Sequence, residues 1–149
     1  MQAAFFTGIR KIEIRDVPLS KLERDEDVLL KIDRVGVCGS DVHYYANGRI
    51  GDQVLAYPAT LGHECSGTVL EVGAQVTHLK AGDRVAVDPA FSCYECDQCK
   101  AGRFHTCRRM RFMGCPGEAP GAAAELYVLP ARNCTPVPSH VSLDLAVLA

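Results

Sequence analysis

Residues 62–73, Gly62-His63-Glu64-Cys65-Ser66-Gly67-Thr68-Val69-Leu70-Glu71-Val72-Gly73, place a His-Glu pair at the entrance to a short apolar run that ends on glycine. The run predicts a strand over Ser66–Val72, because it is too short for a helix and is bounded by turn residues. Similar runs lie on both sides of it. Ala3–Phe6, Lys11–Ile14 and Val28–Val35 precede it, and Arg84–Val87 and Ala124–Leu129 follow. Thr7-Gly8 and Ala81-Gly82-Asp83 read as turns, and Asp25-Glu26-Asp27 as a solvated bend. Two segments depart from the pattern. Ser40 is expected to cap a short helix over Asp41–Ala46, closed by Asn47-Gly48, and Ser142 to cap another from Leu143 to Ala149. Short strands divided by turns predict a mainly β fold, a small barrel rather than a parallel α/β sheet.

The 149 residues amount to about one domain, large enough to bury a core without disulfides. Sixteen Lys plus Arg against eighteen Asp plus Glu leave a formal charge of -2, which speaks against a partner held by phosphate contacts. Hydrophobic content of 48% with 23% charged residues is that of a soluble globular chain. No apolar run approaches the roughly 18 residues that would span a bilayer, so no membrane partner is expected. Met1–Lys11 has no apolar stretch of a secretory signal. The last helix has no C-cap signal, so the chain is expected to be a piece of something longer.

Four of the eight cysteines crowd into fifteen residues, Cys93-x2-Cys96-x2-Cys99-x7-Cys107. Zinc in a structural role prefers a closed tetrahedral shell of thiolates, and close spacing gathers them at little cost in chain entropy. The filler residues Tyr94, Glu95, Asp97, Gln98, Lys100 and Gly102 are polar or small, which suits a lobe held by metal instead of an apolar core. Disulfides are the alternative, and the absence of a signal favours a reducing, cytoplasmic setting and a metal. Arg103, Arg108, Arg109 and Arg111 follow the cluster, which leaves a nucleic-acid zinc module as a competing class.

Cys38 and the pair His63-Glu64 are candidates for a second site. A thiolate, an imidazole and a carboxylate give three ligands and leave one position for water or substrate, the catalytic kind of zinc site. By spacing alone this signal is weak, since a lone buried cysteine is more often a small hydrophobe.

Together these residues resemble the zinc-containing alcohol dehydrogenases of the medium-chain dehydrogenase/reductase family. Gly62-His63-Glu64-x2-Gly67-x5-Gly73 is similar to that family's signature. Gly36-Val37-Cys38-Gly39-Ser40-Asp41-Val42-His43 resembles its first zinc-ligand segment, the four-cysteine spacing its structural-zinc lobe, and Gly82-Asp83-Arg84-Val85 its turn and strand. The matches fall in order over roughly residues 28–130 and are specific as a set. Gly-Ser-Asp-Val-His-Tyr after Cys38 resembles the polyol branch, sorbitol and xylitol dehydrogenases.

The resemblance implies a GroES-like, partly open β-barrel with short helices and a zinc-binding lobe at about residues 90–112. It implies Cys38, His63 and Glu64 as catalytic zinc ligands and Cys93, Cys96, Cys99 and Cys107 as structural ones. Ser40 would take a proton from a bound alcohol and His43 would pass it on. Asp41 would accept a hydrogen bond behind His63, while Tyr44 and Phe112 would face substrate. The expected reaction is oxidation of a polyol or other secondary alcohol to a ketone with NAD or NADP. The nicotinamide-binding Rossmann domain has no G-x-G-x-x-G here, so residues 1–149 alone are expected to be inactive. The parent enzyme is expected to be a homo-oligomer. The alternative is a zinc-stabilised binding or structural module without dehydrogenase activity.

Overall fold

A computed structural model describes residues 1–148 of the chain. Twelve strands and three short helices run in the order β1 (Gln2–Gly8), β2 (Lys11–Asp16), β3 (Asp27–Val35), α1 (Gly39–Asn47), β4 (Arg49–Ile50), β5 (Gln53–Val54), β6 (Ala59–Thr60), β7 (Cys65–Val72), β8 (Arg84–Val87), β9 (Ala90–Phe91), α2 (Asp97–Lys100), β10 (Arg111–Phe112), β11 (Leu126–Pro130), β12 (Cys134–Pro136) and α3 (Leu143–Ala146).

Five strands form the main antiparallel sheet in the order β11-β3-β7-β8-β12, and β2-β1-β6 form a second sheet. An isolated bridge, Ala3 with Ala124, and the bond from Ala4 N–H to the Ala123 carbonyl at 2.8 Å join the two sheets. The described strands do not close into a continuous barrel, which agrees with the partly open form expected. Val28, Leu30, Val69, Val85, Met113 and Leu129 fill the main core. Met113 follows β10, and the others sit on strands whose outward positions are less buried, the pattern of a sheet with one buried face.

All six anticipated strands are present, Arg84–Val87 with the expected bounds and the other five with shifted ends. β1 runs through Thr7-Gly8, so the turn falls on Ile9-Arg10, where Arg10 takes a left-handed φ of 59°. Ala124 joins β1 only by its bridge, and β11 begins at Leu126. Asp27 is no solvated bend residue. It starts β3 with 2% of its surface exposed, and Arg24 donates to both its oxygens at 3.1 Å. A buried carboxylate persists there because a guanidinium pairs with it bidentately.

The first helix also differs from expectation. It starts at Gly39 and Cys38 occupies the cap, so Ser40 lies inside the first turn. The backbone N–H of Cys38 is satisfied by the Asp41 carboxylate at 3.0 Å, a capping-box arrangement that needs no hydroxyl at Ser40. Gly48 ends the helix at φ 69°, as Asn47-Gly48 predicts. In α3 the Ser142 hydroxyl does cap, accepting from Leu145 N–H at 3.2 Å. The anticipated last residue, Ala149, lies outside the described residues. Ser66, fully buried in β7, donates to the Leu143 carbonyl at 2.9 Å and pins α3 to the sheet.

Candidate metal centres

Two groups of ligand-bearing side chains converge among the described residues, the first anticipated from its spacing and the second from the family resemblance. The first is the lobe between β9 and β10. These two strands pair antiparallel, Phe91 with Arg111 and Ala90 with Phe112, and form a stem from which residues 92–110 project. The ligand atoms of Cys93, Cys96, Cys99 and Cys107 all lie within 4.8 Å of one another. Cys93 and Cys99 hold their sulfurs 4.0 Å apart. A disulfide needs about 2.05 Å, and all eight cysteines are free. Zinc–sulfur bonds of about 2.3 Å in a tetrahedron put sulfurs about 3.8 Å apart, so the spacing fits the metal.

Backbone geometry prepares the lobe for anions. The N–H groups of Glu95 and Cys96 aim at Cys93 and hold its thiol down at about 6. Cys107 accepts from the N–H groups of Cys93 at 3.2 Å and Arg109 at 3.4 Å. Burial pushes the Cys99 thiol the other way, up to about 12, so metal is what makes that site a full set of thiolates.

The second group is Cys38, His63 and Glu64, all half-buried, with ligand atoms again within 4.8 Å. They come from two loops: Cys38 between β3 and α1, and His63-Glu64 just before β7. Gly62 enters at φ 87°, a conformation that favours glycine, and turns the pair into the site. Thiolate, imidazole and carboxylate are a fitting donor set for zinc with one position open.

Asp41 departs from its expected role. It is 6% exposed, and its two oxygens accept from the backbone N–H of Cys38 at 3.0 Å and of Gly62 at 3.3 Å. It ties the two ligand loops together through their backbones, and among the described residues no bond links it to the His63 ring. Asp41→Asn leaves one acceptor for these two donors and turns an amide N–H toward the other. It is expected to cost about 1–3 kcal/mol in urea unfolding. A change below about 0.5 kcal/mol would show that the clamp contributes nothing to stability.

Phe112 in β10 meets the His63 ring edge to face, with centroids 5.5 Å apart. With Val87, Pro89, Ala146 and Val147 it lines a cavity of about 270 Å³ that opens on His63 and Glu64. Ala146 of α3 and Val147 just after it lie more than eighty positions beyond His63 and Glu64, and no local signal marks them. Ser40 and His43 lie one helical turn apart on α1, Ser40 half-buried and His43 exposed. Tyr44 does not face this cavity. It is buried with Phe6 and Leu55, and its hydroxyl donates to Gln53 Oε1 at 3.1 Å. Its neighbour Tyr45 instead lines a separate groove of about 600 Å³ with Ile12, Val37 and Val42.

Residues 24–139 match the family model described as the alcohol dehydrogenase GroES-like domain. A probable D-xylulose reductase A of Neosartorya fischeri is 43% identical over 141 residues, 95% of this chain and 39% of that protein. The chain thus spans about two fifths of the length of the curated relatives it matches. Galactitol-1-phosphate dehydrogenase from Escherichia coli superimposes with a TM-score of 0.88 at 27% identity, covering 99% of this chain and 41% of that one. A putative zinc-binding dehydrogenase from Sinorhizobium meliloti 1021, bound to NADP, does so with a TM-score of 0.77 at 31% identity, covering 95% and 40%. Sequence and fold agree over nearly the whole chain, and on that ground it belongs to the alcohol dehydrogenase GroES-like domain family.

Proposed function

We propose that residues 1–149 are the metal-bearing catalytic domain of a zinc-dependent polyol dehydrogenase. The enzyme would interconvert a secondary alcohol and a ketone with NAD or NADP. The convergence of Cys38, His63 and Glu64 beside a cavity carries this reading. The likeness to a probable D-xylulose reductase supports a polyol and its ketose as the substrate pair. Zinc held by these three residues would supply a Lewis acid that lowers the pKa of a substrate hydroxyl or polarises a carbonyl.

The chain's own residues do the rest. Asp41 holds the two ligand loops in register. Phe112 backs the imidazole of His63 and, with Val147, gives the cavity an apolar wall that excludes water. Ser40 receives the substrate proton and His43, one turn on and open to solvent, delivers it to water. Cys93, Cys96, Cys99 and Cys107 hold a separate structural zinc in the lobe, which shares its β9–β10 stem with Phe112.

The nicotinamide cofactor is assigned to protein outside these residues, which contain no G-x-G-x-x-G. Among the described residues no helix is long and apolar enough to cross a membrane. A cytoplasmic homo-oligomer that engages neither membrane nor nucleic acid is the setting we assign to the parent enzyme, and the near balance of charge speaks against a partner held through phosphates.

The test joins this chain to the dinucleotide-binding remainder of a matched D-xylulose reductase. The chimera is expected to reduce D-xylulose with NADH or NADPH. Cys38→Ala should cut the rate about a hundredfold or more, because the Lewis acid contributes several kcal/mol to the barrier. A chimera that binds two zincs and cofactor yet turns over no ketose or polyol would overturn the assignment.

A further inference from the structure

Gly36 ends the β3 side of the ligand loop, two residues before Cys38. The β3–β7 ladder closes at Val35 opposite Cys65, and the next pair continues it through Gly36 N–H donating to the Glu64 carbonyl at 2.7 Å. Side chains on facing residues of a ladder ordinarily keep their Cβ atoms about 4.5–5.5 Å apart. Here a Cβ on Gly36 would lie 3.0 Å from Glu64 Cβ and 2.6 Å from Glu64 Oε2. The Glu64 side chain therefore lies across the bare Cα of Gly36 on its way to Cys38 and His63.

The glycine is not demanded by its backbone. Gly48 and Gly62 have positive φ, whereas Gly36 does not. Nor is glycine needed here for close approach to another main chain, because the three nearest atoms to such a Cβ all belong to the Glu64 side chain. Gly39, on the other side of Cys38, provides the contrast, since a Cβ there would meet nothing within 4 Å.

We infer that Gly36 is a positioning residue for the metal centre: its missing side chain is the seat of the Glu64 carboxylate. The inference rests on the proposal that Cys38, His63 and Glu64 bind metal. Any side chain at position 36 would meet the Glu64 carboxylate at 2.6 Å and push it out of the trio, with a smaller adjustment where the two Cβ atoms approach at 3.0 Å. The ligand set would then fall from three protein donors to two.

The experiment uses the full chain with zinc already in the four-cysteine lobe and titrates Co²⁺ into the second site, followed by absorption and calorimetry. Gly36→Ala is expected to weaken Co²⁺ binding about 10- to 100-fold, the usual range when a ligand loses its support. Gly39→Ala should leave it unchanged. Glu64→Ala also weakens binding, and adding Gly36→Ala to it should cost clearly less than in the unsubstituted chain, in Co²⁺ affinity and in Tm, because the carboxylate is gone and only the 3.0 Å approach to the Cβ of residue 64 is left. An equal loss from Gly36→Ala with and without Glu64, or no loss with Glu64 present, would overturn the inference. Failure of the unsubstituted chain to take Co²⁺ at the second site would sink the metal reading instead. The Tm cycle then decides the seat by itself: a penalty for Gly36→Ala that shrinks in Glu64→Ala upholds it, and an equal penalty overturns it.

Discussion

Cys99→Ala is expected to remove one zinc from each chain and to unfold residues 93–107 while the five-stranded sheet stays folded. Cys99 is one of the few buried side chains of the lobe, with Cys107 and Ser92. What surrounds them is polar and open to solvent. Arg108 with Asp97 and Arg109 with Glu95 pair at 2.6 Å, but all four side chains are more than half exposed. Each such pair contributes about 0–1 kcal/mol. Tyr94 stacks on Phe104 at 4.8 Å, and the Arg132 guanidinium lies 4.1 Å from the Tyr94 centroid. Such contacts add about 0.5–1.5 kcal/mol apiece.

Ordering a residue costs about 1–2 kcal/mol in backbone entropy, so these contacts cannot hold fifteen residues. Structural zinc, with an apparent binding free energy of about 10–16 kcal/mol, can. Elemental analysis of reduced protein should therefore read about two zincs per chain in the parent and one in Cys99→Ala, with new proteolytic cuts confined to the lobe. Two zincs in the variant, or a lobe as protease-resistant as before, would show that the thiolate shell is not what folds it.

Leu30→Ala carries the second large effect, on global stability. Leu30 is fully buried on β3, opposite Tyr127 of β11 on one side and Val69 of β7 on the other. β3 and β7 are hydrogen-bonded on both edges, β3 between β11 and β7, so the sheet has little freedom to collapse around the space left. Truncation of such a leucine costs about 2–5 kcal/mol, a large part of the 5–15 kcal/mol that holds a typical domain. The urea midpoint should fall accordingly with the slope unchanged. A loss below about 1 kcal/mol would mean that β3 is not central to the core. Leu145→Ala, exposed on α3, serves as the control and should move the midpoint little.

The strands were legible because their pattern is local. Val28–Val35 and Ser66–Val72 alternate or run apolar over lengths that only a strand accommodates. The two-residue strands β4, β5, β6, β9 and β10 left no such trace, since pairs that short are stabilised by the partner and not by their own residues. Asp27 was misplaced for a related reason. An acidic triplet suggests solvent, and only the folded chain shows that Arg24 turns back to pair with one of its members. Ser40 was expected to cap because hydroxyls favour that place, yet the helix begins two residues earlier, with Cys38 at the cap and its own N–H taken by the Asp41 carboxylate.

The sequence by itself determined which side chains offer a metal four sulfur donors from one loop, through the spacing of Cys93, Cys96, Cys99 and Cys107. It also determined the strand-rich class and, by resemblance, the pairing of Cys38 with His63-Glu64. Tertiary structure decided everything that depends on residues far apart in the chain. It sent Tyr44 into the core, set Phe112 against His63, brought Ala146 and Val147 to the cavity wall, and turned Asp41 to two backbone N–H groups. The physical reason is the same in each case. Spacing and propensity act over a few residues, whereas burial and carboxylate pairing are settled by whichever groups the sheet brings within a few ångströms.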